Sequence, residues 1–237
     1  MGKACRLTAQ CMAVVAALVR PGVTTLELDR AADTFIRDHG GVPTFRNYNG
    51  YPANICTSVN DEVVHGIPGH RVLREGDIVG VDLGAALGGY TGDMARTFAV
   101  GEISPAAQRL IDVTQACFFR ALEVIRPGAR VGDIGYAVQA LAEGEGYSVV
   151  RDLCGHGVGE KLHEEPEVPN FGRPGRGMRL EAGMTLAIEP MINEGVWRVV
   201  FDRENGWTVR TADGKLSAHY EETVVVTASG AEILTAP

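Results

Sequence analysis

Three carboxylates of this 237-residue chain stand in or beside apolar, β-rich stretches, where a charge is costly to bury unless something pairs with it. Asp82 ends the run IVGVD, Glu189 ends LAIE, and Glu221 begins EETVVV. A buried ion pair, or a strand end facing water, would account for any one of them. A fourth carboxylate, Asp93, lies in another β-rich run, and Arg96 is the nearest basic residue. Divalent cations would neutralise the whole group.

The histidines differ in their surroundings. His156 lies in CGHGVG, where small neighbours allow an imidazole to approach a buried centre closely. A plain glycine-rich turn is the alternative, and GxGxG alone is a weak nucleotide-binding signal. His163 begins HEEP and His65 lies in VVHGIP; by itself, His65 fits a structural role as well as a functional one. The other three histidines are interpreted as surface or packing residues: His39, His70 and His219.

Carboxylates combined with one imidazole and no thiolate are typical ligands of Mn, Co, Fe or Zn. Four carboxylates balance the charge of two divalent ions. Two ions bridged by carboxylates and by a water form a recurrent hydrolytic centre. The sequence therefore predicts a dinuclear metal site that activates water.

An internal repeat indicates how these side chains are positioned. The segment TAQCMAVVAALVRPG (8–22) aligns with TQACFFRALEVIRPG (114–128), 106 residues later. Each copy predicts a helix, a Pro-Gly break, a second helix and a terminal glycine. A β-rich run follows each copy, ending near Asp82 in the first half and at Glu189 in the second. Adding the repeat spacing of 106 to position 82 gives 188, one residue before Glu189.

Two further β-rich runs, Thr91–Val100 and Ala218–Val226, carry Asp93 and Glu221. We therefore predict an α/β chain of two similar halves, about 6–110 and 111–237, with strands in the middle and helices outside. Neither a polar linker nor a low-complexity tract separates the halves, so a single catalytic domain over residues 1–237 is expected.

Composition narrows the classes of function. The chain has 22 basic and 30 acidic residues and a formal net charge of −8, which disfavours a general nucleic-acid binder. Its five cysteines form no CxxC pair, which argues against a disulfide scaffold and favours a reducing cytoplasm. No apolar run reaches the roughly 20 residues of a membrane helix. The apolar stretch Met12–Val19 is interpreted as a helix of the repeat, not a secretory signal.

Taken in order, several motifs resemble type I methionine aminopeptidases, a family of pita-bread metalloproteases. The resemblance covers about residues 6–235. Its motifs are NYNGYP (47–52), SVNDEVVHGIP (58–68), GDIVGVD (76–82), YTGD (90–93), GHGVG (155–159), HEEP (163–166), IEP (188–190), GWT (206–208) and YE (220–221).

The resemblance implies a pita-bread fold of two pseudo-symmetric halves, with helices outside a curved, mostly antiparallel central sheet. It also implies metal-dependent removal of N-terminal Met when the next residue is small. Two divalent ions (Mn, Co, Fe or Zn) are expected, with Asp93 and Glu221 bridging them. Strand alternation favours Glu221 over its neighbour Glu222. The implied ligands are Asp82, Asp93, His156, Glu189 and Glu221.

By the same resemblance, Glu189 moves a proton, and His65 and His163 contact the substrate amide. The implied methionine pocket consists of Tyr51, Cys56, His65, Leu162, His163 and Trp207, with Phe45 and Tyr48 nearby. Leu162 stands where family members often carry an aromatic residue. A monovalent cation is a further expectation, bound by the carbonyls near Asn60, Glu62 and Ser217.

The expected partner is the N-terminal Met of nascent polypeptides, with transient ribosome contact. A cytoplasmic monomer is expected, without membrane or direct nucleic-acid binding and without a ribosome-docking extension before the catalytic unit. The alternatives are an Xaa-Pro aminopeptidase, prolidase or creatinase, which usually carry an additional N-terminal domain; a metal-free binding module, which typically loses ligands; and a structural α/β protein, which leaves the buried carboxylates unexplained.

Overall fold

The computed structural model describes residues 1–236. Within them lie four α-helices: α1 (Gly2–Leu18), α2 (Thr25–Asp38), α3 (Pro105–Leu122) and α4 (Val131–Gly144). The strands are β1 (Val42–Pro43), β2 (Cys56–Val59), β3 (Glu62–Val64), β4 (Ile78–Leu87), β5 (Tyr90–Ala99), β6 (Ser148–Val149), β7 (Cys154–Gly157), β8 (Glu164–Pro169), β9 (Thr185–Ile188), β10 (Met191–Asn193), β11 (Val199–Phe201), β12 (Val209–Thr211), β13 (Ser217–His219), β14 (Glu221–Val226) and β15 (Ala231–Ile233).

Nine strands form one antiparallel sheet in the order β1-β4-β5-β14-β9-β7-β8, with β2 on β4 and β15 on β14. The hairpin β4–β5 pairs along all ten residues of both strands, and β5–β14 joins the halves. Helices α1 and α2 pack against each other, and α1 covers β4 and β5, while α3 and α4 pack over the second half. The predicted α/β pita-bread class, with strands in the middle and helices outside, is confirmed.

Hydrogen bonds recur at the repeat spacing of 106 residues. The thiol of Cys11 lies 3.8 Å from the carbonyl of Ala32, and that of Cys117 lies 3.7 Å from the carbonyl of Val138. In both halves these bonds tie the first helix of the pair to the second. Each half also has its own buried apolar cluster, one containing Leu28 and the other Phe118.

The spacing then increases by one residue. Gly22 N donates to Leu73 O at 2.9 Å, and Gly128 N donates to Leu180 O at 2.9 Å. These carbonyls are 107 residues apart, so the second half is one residue longer between the two points. Strands β4 and β9 begin after this point and keep the new spacing. The offset of Asp82 and Glu189 from the repeat thus has a structural cause.

The predicted strand Ala218–Val226 is wrong in one respect, because it forms two strands in different sheets. Strand β13 pairs with β10 in a small sheet, whereas β14 lies between β5 and β9 in the large one. The chain crosses between the sheets at Tyr220, whose N–H donates to Pro190 O at 3.2 Å. Among residues 1–236, no helix is both long and apolar enough to cross a membrane.

Candidate metal centre and active site

The first half contributes two carboxylates from the hairpin β4–β5. Asp82 lies opposite Ala95, and Asp93 lies opposite Gly84. A Cβ at Gly84 would stand 3.2 Å from Asp93 Oδ1, so the glycine leaves room for this carboxylate. The residues of this hairpin alternate in direction, and Asp82 and Asp93 both line one cavity.

The second half contributes an imidazole and two carboxylates. His156 lies on β7, Glu189 follows β9, and Glu221 begins β14. His156 Nε2 is 3.5 Å from Glu189 Oε1 and 3.7 Å from Asp93 Oδ2. One ligand atom each of Asp93, His156 and Glu221 lies within 4.8 Å of the others, and all three residues are buried. The structure thus brings the five predicted ligands to one cavity.

Unsatisfied oxygens show that this cluster fits cations. Asp82 Oδ1, Asp93 Oδ1 and Glu221 Oε1 are buried, and no group among residues 1–236 donates a hydrogen bond to them. Such atoms are costly without a partner. Burial, followed by repulsion from neighbouring carboxylates, raises the pKa of Glu189 and Glu221 well above the usual range. A divalent ion would satisfy the oxygens and remove the repulsion, and the donor set is one that such ions accept.

Glu222 points elsewhere than its neighbour. Its carboxylate pairs with Arg96 and accepts a hydrogen bond from Tyr220 at 3.4 Å, whereas Glu221 lines the cavity. This arrangement agrees with the alternation that favoured Glu221.

A cavity of about 350 Å³ adjoins the ligands. One wall is apolar and consists of Phe45, Tyr51, Cys56 and Leu162. Trp207 packs edge-on against Tyr51, with ring centroids 5.1 Å apart. The predicted pocket residues therefore do meet beside the carboxylates. Leu162 is buried in this wall.

His65 and His163 complete the polar side of the cavity. The rings of His156 and His163 are 4.1 Å apart, and His163 Nδ1 lies 2.6 Å from the hydroxyl of Tyr48. His65 has a positive φ of 59°, a strained conformation that often marks a functional position. Burial lowers the pKa of His65 to about 4, with a smaller contribution from His163, so the ring is neutral near pH 7.

Sequence reasoning missed His219. This residue is 4% exposed, and its Nε2 lies 3.6 Å from Glu189 Oε2. Burial lowers its pKa to about 3, so the imidazole is neutral. By contrast, His39 and His70 are exposed, as predicted. In the sequence, the one feature that points to His219 is a threonine four residues after it, at position 223. Asp93 is followed by Thr97 at the same interval.

The segments expected to bind a monovalent cation lie next to each other. Ser217 N donates to Asn60 O at 2.9 Å, and β3, which begins at Glu62, packs against β13, which begins at Ser217. This geometry brings the predicted carbonyls into one region, and the cation itself stays a prediction.

Comparisons with known proteins give consistent results. Residues 1–228 match the model of metallopeptidase family M24. A relative from Clostridium acetobutylicum, named methionine aminopeptidase, is 52% identical and covers 99% of this chain and 94% of its own. The crystal structure of methionine aminopeptidase from Rickettsia prowazekii is 44% identical, with a TM-score of 0.98, covering 99% of this chain and 95% of that one.

A more distant structure has the same fold. The Xaa-Pro dipeptidase from Bacillus anthracis is 23% identical, with a TM-score of 0.78, and the match covers 100% of this chain but 59% of that one.

Proposed function

The chain belongs to metallopeptidase family M24, and on that basis we propose that it is a methionine aminopeptidase, a metallo-exopeptidase that removes N-terminal Met from nascent proteins and peptides when the next residue is small. The observation that carries the proposal is the juxtaposition of a buried carboxylate–imidazole cluster with an apolar cavity of about 350 Å³. Identities of 44–52% to methionine aminopeptidases over nearly the whole chain support it.

Five side chains would hold two divalent ions: Asp82, Asp93, His156, Glu189 and Glu221. Bound ions would supply Lewis acidity, which lowers the pKa of a water and polarises the substrate carbonyl. Asp93 and Glu221 would be shared by the two ions, a role supported by the grouping of one oxygen from each with a His156 nitrogen within 4.8 Å. Mn, Co, Fe and Zn all suit this donor set. A monovalent cation near Asn60 is proposed in addition.

The other polar groups act on the substrate. Glu189 accepts a proton from the attacking water and passes it to the leaving amine, a transfer that a carboxylate lining the same cavity can make in both directions. His65 and His163 donate hydrogen bonds to the substrate amide. The Tyr48 hydroxyl holds the His163 ring from the opposite side, at 2.6 Å from Nδ1. These donors stabilise the negative charge that develops on the carbonyl oxygen.

The apolar wall selects the side chain that is removed. Methionine is flexible and its sulfur packs well against aromatic edges, such as those of Tyr51 and Trp207. Cys56 and Leu162 close the wall. The free amino group of the substrate would face the carboxylates, which explains cleavage at the chain end.

The test is peptide cleavage with and without chelator. Met-Ala-Ser should release Met, activity should vanish after chelation, and Mn²⁺, Co²⁺, Fe²⁺ or Zn²⁺ should restore it. Undiminished activity after chelation would overturn the metal mechanism. Cleavage of Xaa-Pro peptides alone would reassign the chain to another activity of its fold.

We also propose a cytoplasmic monomer that acts as one catalytic domain over residues 1–237, contacts ribosomes transiently and binds no nucleic acid directly. The site draws ligands from both halves, which supports a single catalytic unit. All five cysteines are free, which fits a reducing compartment. The net charge of −8 disfavours direct nucleic-acid binding.

A further inference from the structure

His219 is held in the second half as Asp93 is held in the first. Thr223 Oγ1 accepts a hydrogen bond from Asp93 N at 3.0 Å and donates one to Asp93 O at 2.8 Å. Thr97 Oγ1 does the same for His219, with both bonds at 2.9 Å. Each threonine thus fixes the backbone of the other residue across the junction of the halves.

These two pairs are related by an approximate two-fold axis. His219 follows Asp93 by 126 residues, and Thr223 follows Thr97 by the same number. The axis passes between Ala95 and Glu221, which face each other in the pairing of β5 with β14. His219 therefore occupies, in the second half, the position that a proposed metal ligand occupies in the first.

One ring nitrogen of His219, Nε2, is buried and has no hydrogen-bond partner among residues 1–236. The polar atom that faces it is Glu189 Oε2, at 3.6 Å. The other oxygen of this carboxylate, Oε1, faces His156 Nε2 at 3.5 Å. Glu189 thus lies between two imidazoles, each directed at a different oxygen.

We infer that His219 is a positioning residue, whose Nε2–H hydrogen-bonds Glu189 Oε2 and thereby directs Oε1 to the metal site beside His156. The inference rests on the proposed metal site. An approach of about 0.5 Å would bring Nε2 and Oε2 into hydrogen-bond range. The backbone of Glu189 is already fixed, because its carbonyl accepts from Asn170 Nδ2 at 3.0 Å. The side-chain torsions of Glu189 can still rotate the carboxylate, and a hydrogen bond from His219 would restrict that rotation.

Three variants of the full chain test this role: His219→Ala, His219→Gln and His219→Asn. Glutamine keeps an N–H donor at nearly the reach of the imidazole, whereas asparagine is too short. His70→Ala is the matched control, because His70 is exposed and lies outside the cavity. Affinity for Mn²⁺ and Co²⁺ is measured by calorimetry on metal-stripped protein, and the visible spectrum of bound Co²⁺ reports ligand geometry.

We expect His219→Ala and His219→Asn to bind metal about 10–100-fold more weakly, as is usual when a partner of a metal ligand is lost. Their Co²⁺ spectra should shift, and His219→Gln should recover affinity and spectrum. Thermal unfolding of the stripped proteins separates this effect from misfolding. If His219→Ala does not fold, the Gln–Asn pair decides the question.

Equal metal affinity and identical Co²⁺ spectra for His219→Gln and His219→Asn would overturn the inference. That result differs from failure of the proposed function, which would appear as intact metal binding without release of Met from Met-Ala-Ser by the unmodified chain.

Discussion

The two halves of the molecule share their hydrogen bonds but not their chemistry. Each ties its helices with a thiol–carbonyl contact, and each clamps one residue of the other half with a threonine. At equivalent places the side chains differ. Gly80 and Ala187, 107 residues apart, lie opposite Ser58 in the first half and His156 in the second. Asp93 corresponds to His219, and Ala95 to Glu221.

This difference shows that the hydrogen bonds of the scaffold and the side chains of the site are under separate structural constraints. The shared bonds are made by main-chain groups and buried hydroxyls or thiols, which every copy of the scaffold must satisfy. The proposed metal site lies where the halves meet and needs one set of ligands in total. Each half can therefore carry different side chains at its inward-facing positions while keeping the shared hydrogen bonds. Four predictions test this separation.

The largest effect is expected for His156→Ala compared with its counterpart Ser58→Ala. Loss of His156, a proposed direct ligand, should lower kcat/KM by more than about 100-fold, beyond the range seen for partners of ligands. Ser58→Ala removes the acceptor of a Gly66 N–H bond and should reduce stability while leaving activity nearly intact. Kinetics with Met-Ala-Ser measure both. Similar losses in the two variants, or in His39→Ala, would remove His156 from the site.

The next prediction concerns pH and the two kinds of ligand. Burial raises the pKa of Asp93 to about 7, and burial lowers that of His156 to about 4. Between pH 5 and 7 the carboxyl must release a proton to bind metal, whereas the imidazole is already neutral. Metal affinity should therefore rise with pH, by up to about tenfold per unit for each proton released, and the raised pKa values of Glu189 and Glu221 should add to this rise. Calorimetric titration with Mn²⁺ checks this; a flat profile would contradict it.

The raised pKa of Asp93 also contributes to the pH dependence of the stability of the metal-free protein. A carboxyl whose pKa is raised on folding contributes stability below its unfolded pKa of 3.8, and this contribution is lost as the pH rises through about 7. The stabilisation gained on adding metal should consequently grow between pH 5 and 7.

A smaller effect is expected from the threonine clamps. Thr97→Val and Thr223→Val each leave a buried N–H without an acceptor, which should cost about 1–3 kcal/mol of unfolding free energy. Denaturant unfolding of the metal-free variants should give similar losses. Metal affinity should fall more for Thr223→Val, because Asp93 is proposed as a direct ligand and His219 only as the partner of one. Equal losses of affinity would mean that the halves are chemically alike at this position.

The smallest effect is expected in the helices. Thr114 Oγ1 donates only to Leu110 O at 2.7 Å, whereas Thr8 Oγ1 contacts both Ala4 O at 3.0 Å and Gly92 O at 3.2 Å. The single hydroxyl proton of Thr8 is shared between these two carbonyls, so Thr8→Val should lower the unfolding free energy by up to about 1 kcal/mol more than Thr114→Val. Thermal unfolding of the two variants tests this; an equal effect would show that the bond to β5 contributes nothing.

Much of this architecture could be predicted from the sequence. The helix pairs were visible because Pro-Gly breaks interrupt apolar periodicity twice in the same register. Asp82 and Glu189 were visible because a charge in an apolar strand is conspicuous. Glu221 was separable from Glu222 because neighbours in a strand face opposite sides.

The correspondence between residues related by the approximate two-fold axis could not be predicted in this way. The interval between equivalent residues changes from 106 to 107 and then to 126, so no single alignment superposes Cys11, Asp82 and Asp93 on their counterparts. His219 escaped notice for that reason, since its role depends on Glu189 and Thr97, which are distant in the chain. The break at Tyr220 was missed because apolar and β-branched residues continue through it.

The junction of β5 with β14 has a consequence for how the molecule is assembled. In the large sheet the halves meet along this one strand pair, and residue pairs there reciprocate: Asp93 contacts Thr223, and Thr97 contacts His219. That is the pattern of an isologous dimer interface. The chain is in effect a dimer fused into one polypeptide, so its halves no longer need to be identical. Fusion is what permits an asymmetric active site on a symmetric interface.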